Sequence, residues 1–260
     1  MGTLPLSGAA SRETLEEVRC RLLADERDLT FAADGDLAYW QRVAGESSGP
    51  IVEIGCGAGR VLTSLGSGER QLIGIDLDSA ALSLAAERAP EADWICADGR
   101  TWRRHGTAAS LVILSGDLLS IITAPTDLEA LLRTATMHCG PEGQVGIDAT
   151  LMDPQLIANE VAGEWSIDLE RADNDFTTVR RESRIATDPL GRPNTALLEI
   201  RHRSVGADGQ LTAIYPDRTP FTIRAWQPDE VRSLAAAAGL QVVRVGADDR
   251  LRWLLRSAHE

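Results

Sequence analysis

Ile51-Val52-Glu53-Ile54 is a short apolar run that ends in Gly55-Cys56-Gly57-Ala58-Gly59. It reads as a buried strand closed by a glycine turn. Three glycines at alternate positions leave the backbone bare, so a ligand can come closer than a Cβ would allow. Arg60-Val61-Leu62-Thr63-Ser64-Leu65 then starts a helix aimed at that ligand. Gln71-Leu72-Ile73-Gly74-Ile75-Asp76 is a second apolar strand, and its terminal acid lies 21 positions after Gly55. A carboxylate at that point accepts hydrogen bonds from both hydroxyls of a ribose. Strand, turn, helix, strand and acid, in that order, predict a site for a nucleoside-containing cofactor.

A dinucleotide fingerprint would carry its third glycine where this chain has Arg60. Glu53, just before the turn, suits a cation better than a diphosphate. The turn resembles motif I of the class I S-adenosylmethionine-dependent methyltransferases, whose cofactor carries an ammonium and a sulfonium. Other segments are similar to that family in the same order. Asp76 matches its ribose acid, and Cys96-Ala97-Asp98-Gly99 matches its third-strand acid, which the resemblance places at the adenine amino group. Leu111-Val112-Ile113-Leu114-Ser115-Gly116-Asp117 matches the fourth strand, whose end faces the methionine part and the acceptor. Cys139-Gly140-Pro141-Glu142-Gly143 resembles the turn before the fifth strand, here Gln144 to Ala149. The resemblance implies cofactor contacts from Glu53, Gly55, Cys56, Gly57, Gly59, Asp76, Leu77, Asp98, Gly99 and Ser115.

Strands alternating with helices through residue 150 predict an α/β fold with a doubly wound, Rossmann-like, mostly parallel sheet. Its ligand edge lies at the carboxyl ends of the strands. Asp78 or Ser79 caps a helix that Pro90 ends, and Asp127 caps another running to Gly140. Four segments are expected, in order. Residues 1–48 form an N-terminal helical cap, of which Asp36-Leu37-Ala38-Tyr39-Trp40 resembles the family's cap over the methionine end; a plain packing helix is the other reading. Residues 49–150 form the S-adenosylmethionine-binding core. Residues 151–226 favour strands at 164–170, 176–187, 195–205 and 210–224, punctuated by Asp188-Pro189-Leu190-Gly191 and Ala207-Asp208-Gly209, and predict an antiparallel β insert. Residues 227–260 carry a helix and an antiparallel hairpin that complete a seven-stranded sheet. The insert's pattern resembles that of glycine and sugar N-methyltransferases, where it covers the substrate and supports homodimers or higher oligomers.

The net charge of −13 repels phosphate backbones, which excludes nucleic acid as the expected partner and leaves small molecules. All 26 basic residues are arginine, so lysine drops out as a candidate base. Cys20, Cys56, Cys96 and Cys139 form no C-x-x-C pair, and no His–carboxylate cluster is evident; neither disulfide nor metal is expected. No apolar run is long enough to span a membrane, and no basic leader precedes one, so a cytoplasmic protein is expected.

Methyl transfer is an in-line displacement that needs a nucleophile held at the methyl carbon. Asp117 is the first candidate to orient or deprotonate an acceptor. His202 sits between Arg201 and Arg203 on a strand and so faces away from both; it is a candidate base or a packing histidine. Tyr215, before Pro216, is a third candidate. His138 reads as a surface residue at a helix end, and His105 as part of a solvated loop. Trp40, Trp165 and Trp226 read as packing residues. The expected activity is methyl transfer to a nitrogen or oxygen atom of a small molecule of secondary metabolism. Two alternatives share the same motifs: a fold that keeps the cofactor but catalyses a non-methyl reaction such as cyclisation, and a non-catalytic S-adenosylmethionine-binding protein.

Overall fold

The computed structural model describes residues 35–66, 68–154, 163–174, 177–214, 220–246 and 250–258. The expected helical pattern before residue 35, and Tyr215, lie outside the described residues. Helix α1 (Asp36–Gly45) precedes β1 (Ile51–Ile54), α2 (Arg60–Leu65), β2 (Leu72–Asp76), α3 (Ser79–Arg88), β3 (Asp93–Cys96) and β4 (Ala109–Leu114). A single helical turn, α4 (Leu118–Ile121), leads into α5 (Pro125–His138) and β5 (Cys139–Thr150). The second sheet uses β6 (Ser166–Asn174), β7 (Thr177–Thr187), β8 (Thr195–Gly206), β9 (Leu211–Ile214) and β10 (Phe221–Arg224). Helix α6 (Pro228–Ala237), β11 (Leu240–Val245) and β12 (Arg250–Ser257) return to the first sheet.

That first sheet has the order β11-β12-β5-β4-β1-β2-β3. The strands from β3 across to β5 pair in parallel, and β12 is antiparallel to both β5 and β11. This is a seven-stranded, mostly parallel, Rossmann-like sheet. Alternation along β1 sorts its two faces. Val52 and Ile54 pack with Leu128 and Leu131 of α5 and Val231 of α6. Ile51 packs on the other side with Trp40 of α1 and Val61 and Leu62 of α2. Glu53 shares the parity of Ile51, so it points to the α1–α2 side.

Asp78 caps α3 as expected, accepting from Ala80 N at 3.0 Å and Ala81 N at 3.1 Å. Helix α5 starts two residues before the expected Asp127, because Pro125 fixes φ for a first helical residue and has no N–H to satisfy. Strand β5 begins at Cys139 rather than Gln144, since Cys139 already pairs with Ala109. That early start places His138 inside the protein, against the expected surface position. Its ring stacks on Trp102, Nδ1 faces Thr134 O at 2.9 Å, and Nε2 accepts from Arg104 N at 3.0 Å. Both ring nitrogens are satisfied by one neutral tautomer, and burial holds the pKa below the usual histidine value.

The second sheet is antiparallel throughout, in the order β10-β8-β7-β6 with β9 also on β8. The single run expected at 210–224 contains two separate strands, β9 and β10. The sheet joins the core at α4, whose trailing carbonyls need donors. Trp226 Nε1 donates to Leu119 O at 2.8 Å and Ile122 O at 3.0 Å. Arg224 Nη1 donates to Thr123 O at 3.1 Å.

Candidate functional site

The carboxyl ends of the parallel strands place the glycine turn, Asp76, Asp98, Ser115 and Asp117 along one edge, as α/β topology requires. Gly55, Gly57 and Gly59 all have positive φ, at 76°, 53° and 76°. They differ in what surrounds them. A Cβ on Gly55 would stand 2.7 Å from Leu118 Cδ1, and one on Gly59 would stand 2.6 Å from the Trp94 ring. Nothing lies within 4 Å of the Cβ position on Gly57. The turn is therefore packed from below at its ends and open in the middle, a cradle that a side chain at Gly57 would fill.

Asp76 fixes this cradle: Oδ2 accepts from Gly57 N at 2.7 Å and Oδ1 from Asp78 N at 2.9 Å. A carboxylate oxygen accepts two bonds, so each retains a site for a hydroxyl donor. Leu77 beside it is 68% exposed, an apolar side chain ready to be covered by a flat ring. Cys96, also in the strand-end region, is exposed, whereas Cys56 in the turn is buried and its thiol is pushed well above its usual pKa.

Glu53 lies under the turn, only 2% exposed. Ser115 Oγ donates to its Oε1 at 2.8 Å and Leu62 N to its Oε2 at 3.3 Å. Burial raises its pKa to about 7, opposed by the Ser115 bond and by Arg60. Ser115 thus ties the end of β4 to β1. Asp98 is engaged by a residue that the motif reading missed. Arg100 Nη2 binds its Oδ2 at 2.6 Å and Arg100 also reaches Asp127 at 2.6 Å. This arginine holds the Asp98 pKa below the ordinary carboxylate value. An adenine amino group would share that carboxylate with Arg100. Gly99, next in line, has no room for a side chain: its Cβ would stand 2.2 Å from Ile54.

Asp117 adopts φ 60°, a left-handed conformation that aspartate tolerates better than most residues. Its Oδ1 accepts from Thr150 N at 2.6 Å and Arg250 Nη2 at 3.2 Å. Arg250 is held in turn by the buried Asp148, through Nε at 2.6 Å. Oδ2 of Asp117 has no partner among the described residues, and the side chain is 31% exposed. His202 is elsewhere. It is buried in the second sheet opposite Arg181, and it is not among the partners of Asp117. Seven residues along an extended strand separate it by about 23 Å from Thr195, at the end that docks near α4. Trp40 and Trp226 are buried in the cores, while Trp165 lies beneath the guanidinium groups of Arg184 and Arg201. Among the described residues no group of three His, Cys, Asp or Glu is arranged to hold a metal ion.

Fold and edge together make an α/β domain whose ligand edge is lined by acids and bare backbone. S-adenosylmethionine fits it: the Gly57 cradle is open, and Asp76 has spare acceptor sites for ribose hydroxyls. A family model described as a methyltransferase domain matches residues 51–143. Those residues carry a methyltransferase domain, and its cofactor is S-adenosylmethionine.

Solved structures agree in fold. A sugar N-methyltransferase from a Streptoalloteichus species is 17% identical, with TM-score 0.71 over 100% of this chain and 98% of its own. An S-adenosylmethionine-dependent methyltransferase from Clostridium acetobutylicum is 14% identical, with TM-score 0.71 over 92% of this chain and 99% of its own. An amino pentose methyltransferase of calicheamicin biosynthesis, from Micromonospora echinaspora, is 19% identical, with TM-score 0.63 over 98% and 97% of the two chains. No curated protein matches the sequence. No helix among the described residues is long and apolar enough to cross a membrane.

Proposed function

We propose that this protein methylates a nitrogen or oxygen atom of a small molecule, and that an amine is the better acceptor. Asp117 carries this reading. Arg250 and Thr150 N occupy one carboxylate oxygen and leave the other without a partner among the described residues, on a side chain 31% exposed just beyond β4. A carboxylate so held accepts an N–H and orients an amine, whereas carboxylates in general are weak bases for an ordinary hydroxyl. A neutral amine needs orientation more than activation, and its proton is lost after attack. The cofactor supplies a methyl group on a sulfonium leaving group. Around it, Asp76 holds the ribose, the Gly57 cradle admits the backbone approach, and Leu77 covers one side of the base. The insert docks on α4, beside Asp117, where it covers the acceptor. The amino-sugar methyltransferases that share this fold support an amino sugar of secondary metabolism as the acceptor class.

The test is incubation with S-adenosylmethionine and a panel of amino sugars, each paired with its hydroxyl analogue, followed by S-adenosylhomocysteine release and product mass. Release with the amines and not with the hydroxyl analogues is expected. Release with the hydroxyl analogues alone would overturn the amine assignment.

A further inference from the structure

Arg60 is the first residue of α2 and follows the glycine turn directly. Its guanidinium forks onto Asp36, the first residue of α1. Nη1 donates to Oδ1 at 3.2 Å, and Nη2 pairs with Oδ2. Asp36 is 1% exposed and the Arg60 side chain 11%, so the pair is shielded from water. Such a pair is screened little by salt and is costly to break on one side only.

The surroundings give the pair a task. Helix α2 has only six residues, and its N-cap is Gly59, which offers no side chain to hold the turn. Its first turn is instead gripped by two acids, both reaching it from the α1–α2 side of the sheet. Glu53 accepts from Leu62 N at 3.3 Å, and Asp36 takes Arg60. Gln41 of α1 adds a bond to Ser64 O at 2.9 Å, at the other end of α2. The glycine turn lies between this gripped helix and Asp76, which holds Gly57 N. A shift of Arg60 therefore pulls on the Gly57–Asp76 bond.

We propose that Asp36 is a positioning residue for the cofactor. By holding Arg60 it fixes the glycine turn, and it makes helix α1 and the cradle move as one body. Loss of the Arg60–Asp36 pair then loosens the turn and speeds cofactor release. The proposal rests on the S-adenosylmethionine assignment and is independent of the acceptor.

The experiment is a double-mutant cycle on the full chain, read as the dissociation rate and affinity of S-adenosylmethionine. The variants are Asp36→Asn, Arg60→Gln, the double substitution, and Arg60→Lys, which keeps the charge but loses the fork. Each of the first two is expected to speed release about 10-fold, and the double by about the same factor, because both act through one contact. Arg60→Lys falls between. Wild-type release rates with a lowered melting temperature would overturn the proposal, as would losses that multiply in the double variant. Hydrogen exchange on the wild-type protein gives an answer even if a variant does not fold. Saturating S-adenosylmethionine should protect amides of residues 36–45 together with those of 57–62. Protection confined to 57–62 would refute the coupling. A wild-type protein that binds no S-adenosylmethionine would instead overturn the cofactor assignment itself.

Discussion

Glu53→Gln should change how stability depends on pH. The carboxyl is buried, and its pKa rises from 4.5 to about 7 in the folded chain. Between these values the native state binds a proton that the unfolded state does not. Stability from this site is therefore full below pH 4.5 and falls as pH rises through 7. One pKa unit corresponds to about 1.4 kcal/mol, and the part of the window between pH 5 and 8 amounts to about 2.5 kcal/mol. Glutamine has nearly the same shape. Its carbonyl can accept from Leu62 N, and its amide can donate to the Ser115 hydroxyl, which is free to reverse. The assay is urea unfolding of wild type and variant at pH 5, 6, 7 and 8, without added cofactor. The stability difference, variant minus wild type, should climb by about 2–3 kcal/mol across that range. A difference that stays flat would refute the reasoning, because it would mean that Glu53 keeps its ordinary ionisation despite burial.

Gly57→Ala should cost about 1–2 kcal/mol of stability from its positive φ and should abolish most cofactor binding by filling the cradle. Gly59→Ala meets the Trp94 ring, so its main effect should be a lower melting temperature; calorimetry and thermal melts separate the two. Asp76→Ala should weaken S-adenosylmethionine binding by about 1.5–3 kcal/mol, measured calorimetrically, through lost charged hydrogen bonds. Asp117→Asn should lower turnover of an identified acceptor while the cofactor dissociation constant stays at the wild-type value. Trp226→Phe leaves Ile122 O without its donor and Leu119 O with only Ile122 N; a loss of about 1–2 kcal/mol in urea unfolding is expected.

The cofactor half was legible because its signals are local. Apolar runs of four to six residues, a glycine turn, the Asp78 cap and acids at strand ends all lie within a few positions of the structure they specify. The arginines were not legible. Arg250 reaches Asp117 across 133 positions of sequence, and Arg60 reaches Asp36 backwards across 24. A long flexible side chain among 26 arginines gives no periodic signal, so its partner is decided only when the sheet is assembled. His138 shows the same limit from the other side. Its helix-end position predicted exposure, but the strand begins at the very next residue and draws the ring beneath Trp102. In the insert, alternation located the strands, yet it could not show which end of β8 meets the core.

The docking of the second sheet on α4 sets a rule for building chimeras. Trp226, Arg224 and Arg192 bind the backbone or side chain of residues 119–123, which lie in the core half of the sequence. An insert transplanted at its own sequence boundaries would arrive without the surface it was cut to fit. A graft intended to change the acceptor has to carry residues 118–124 with it, as one exchangeable cassette made of two pieces of chain.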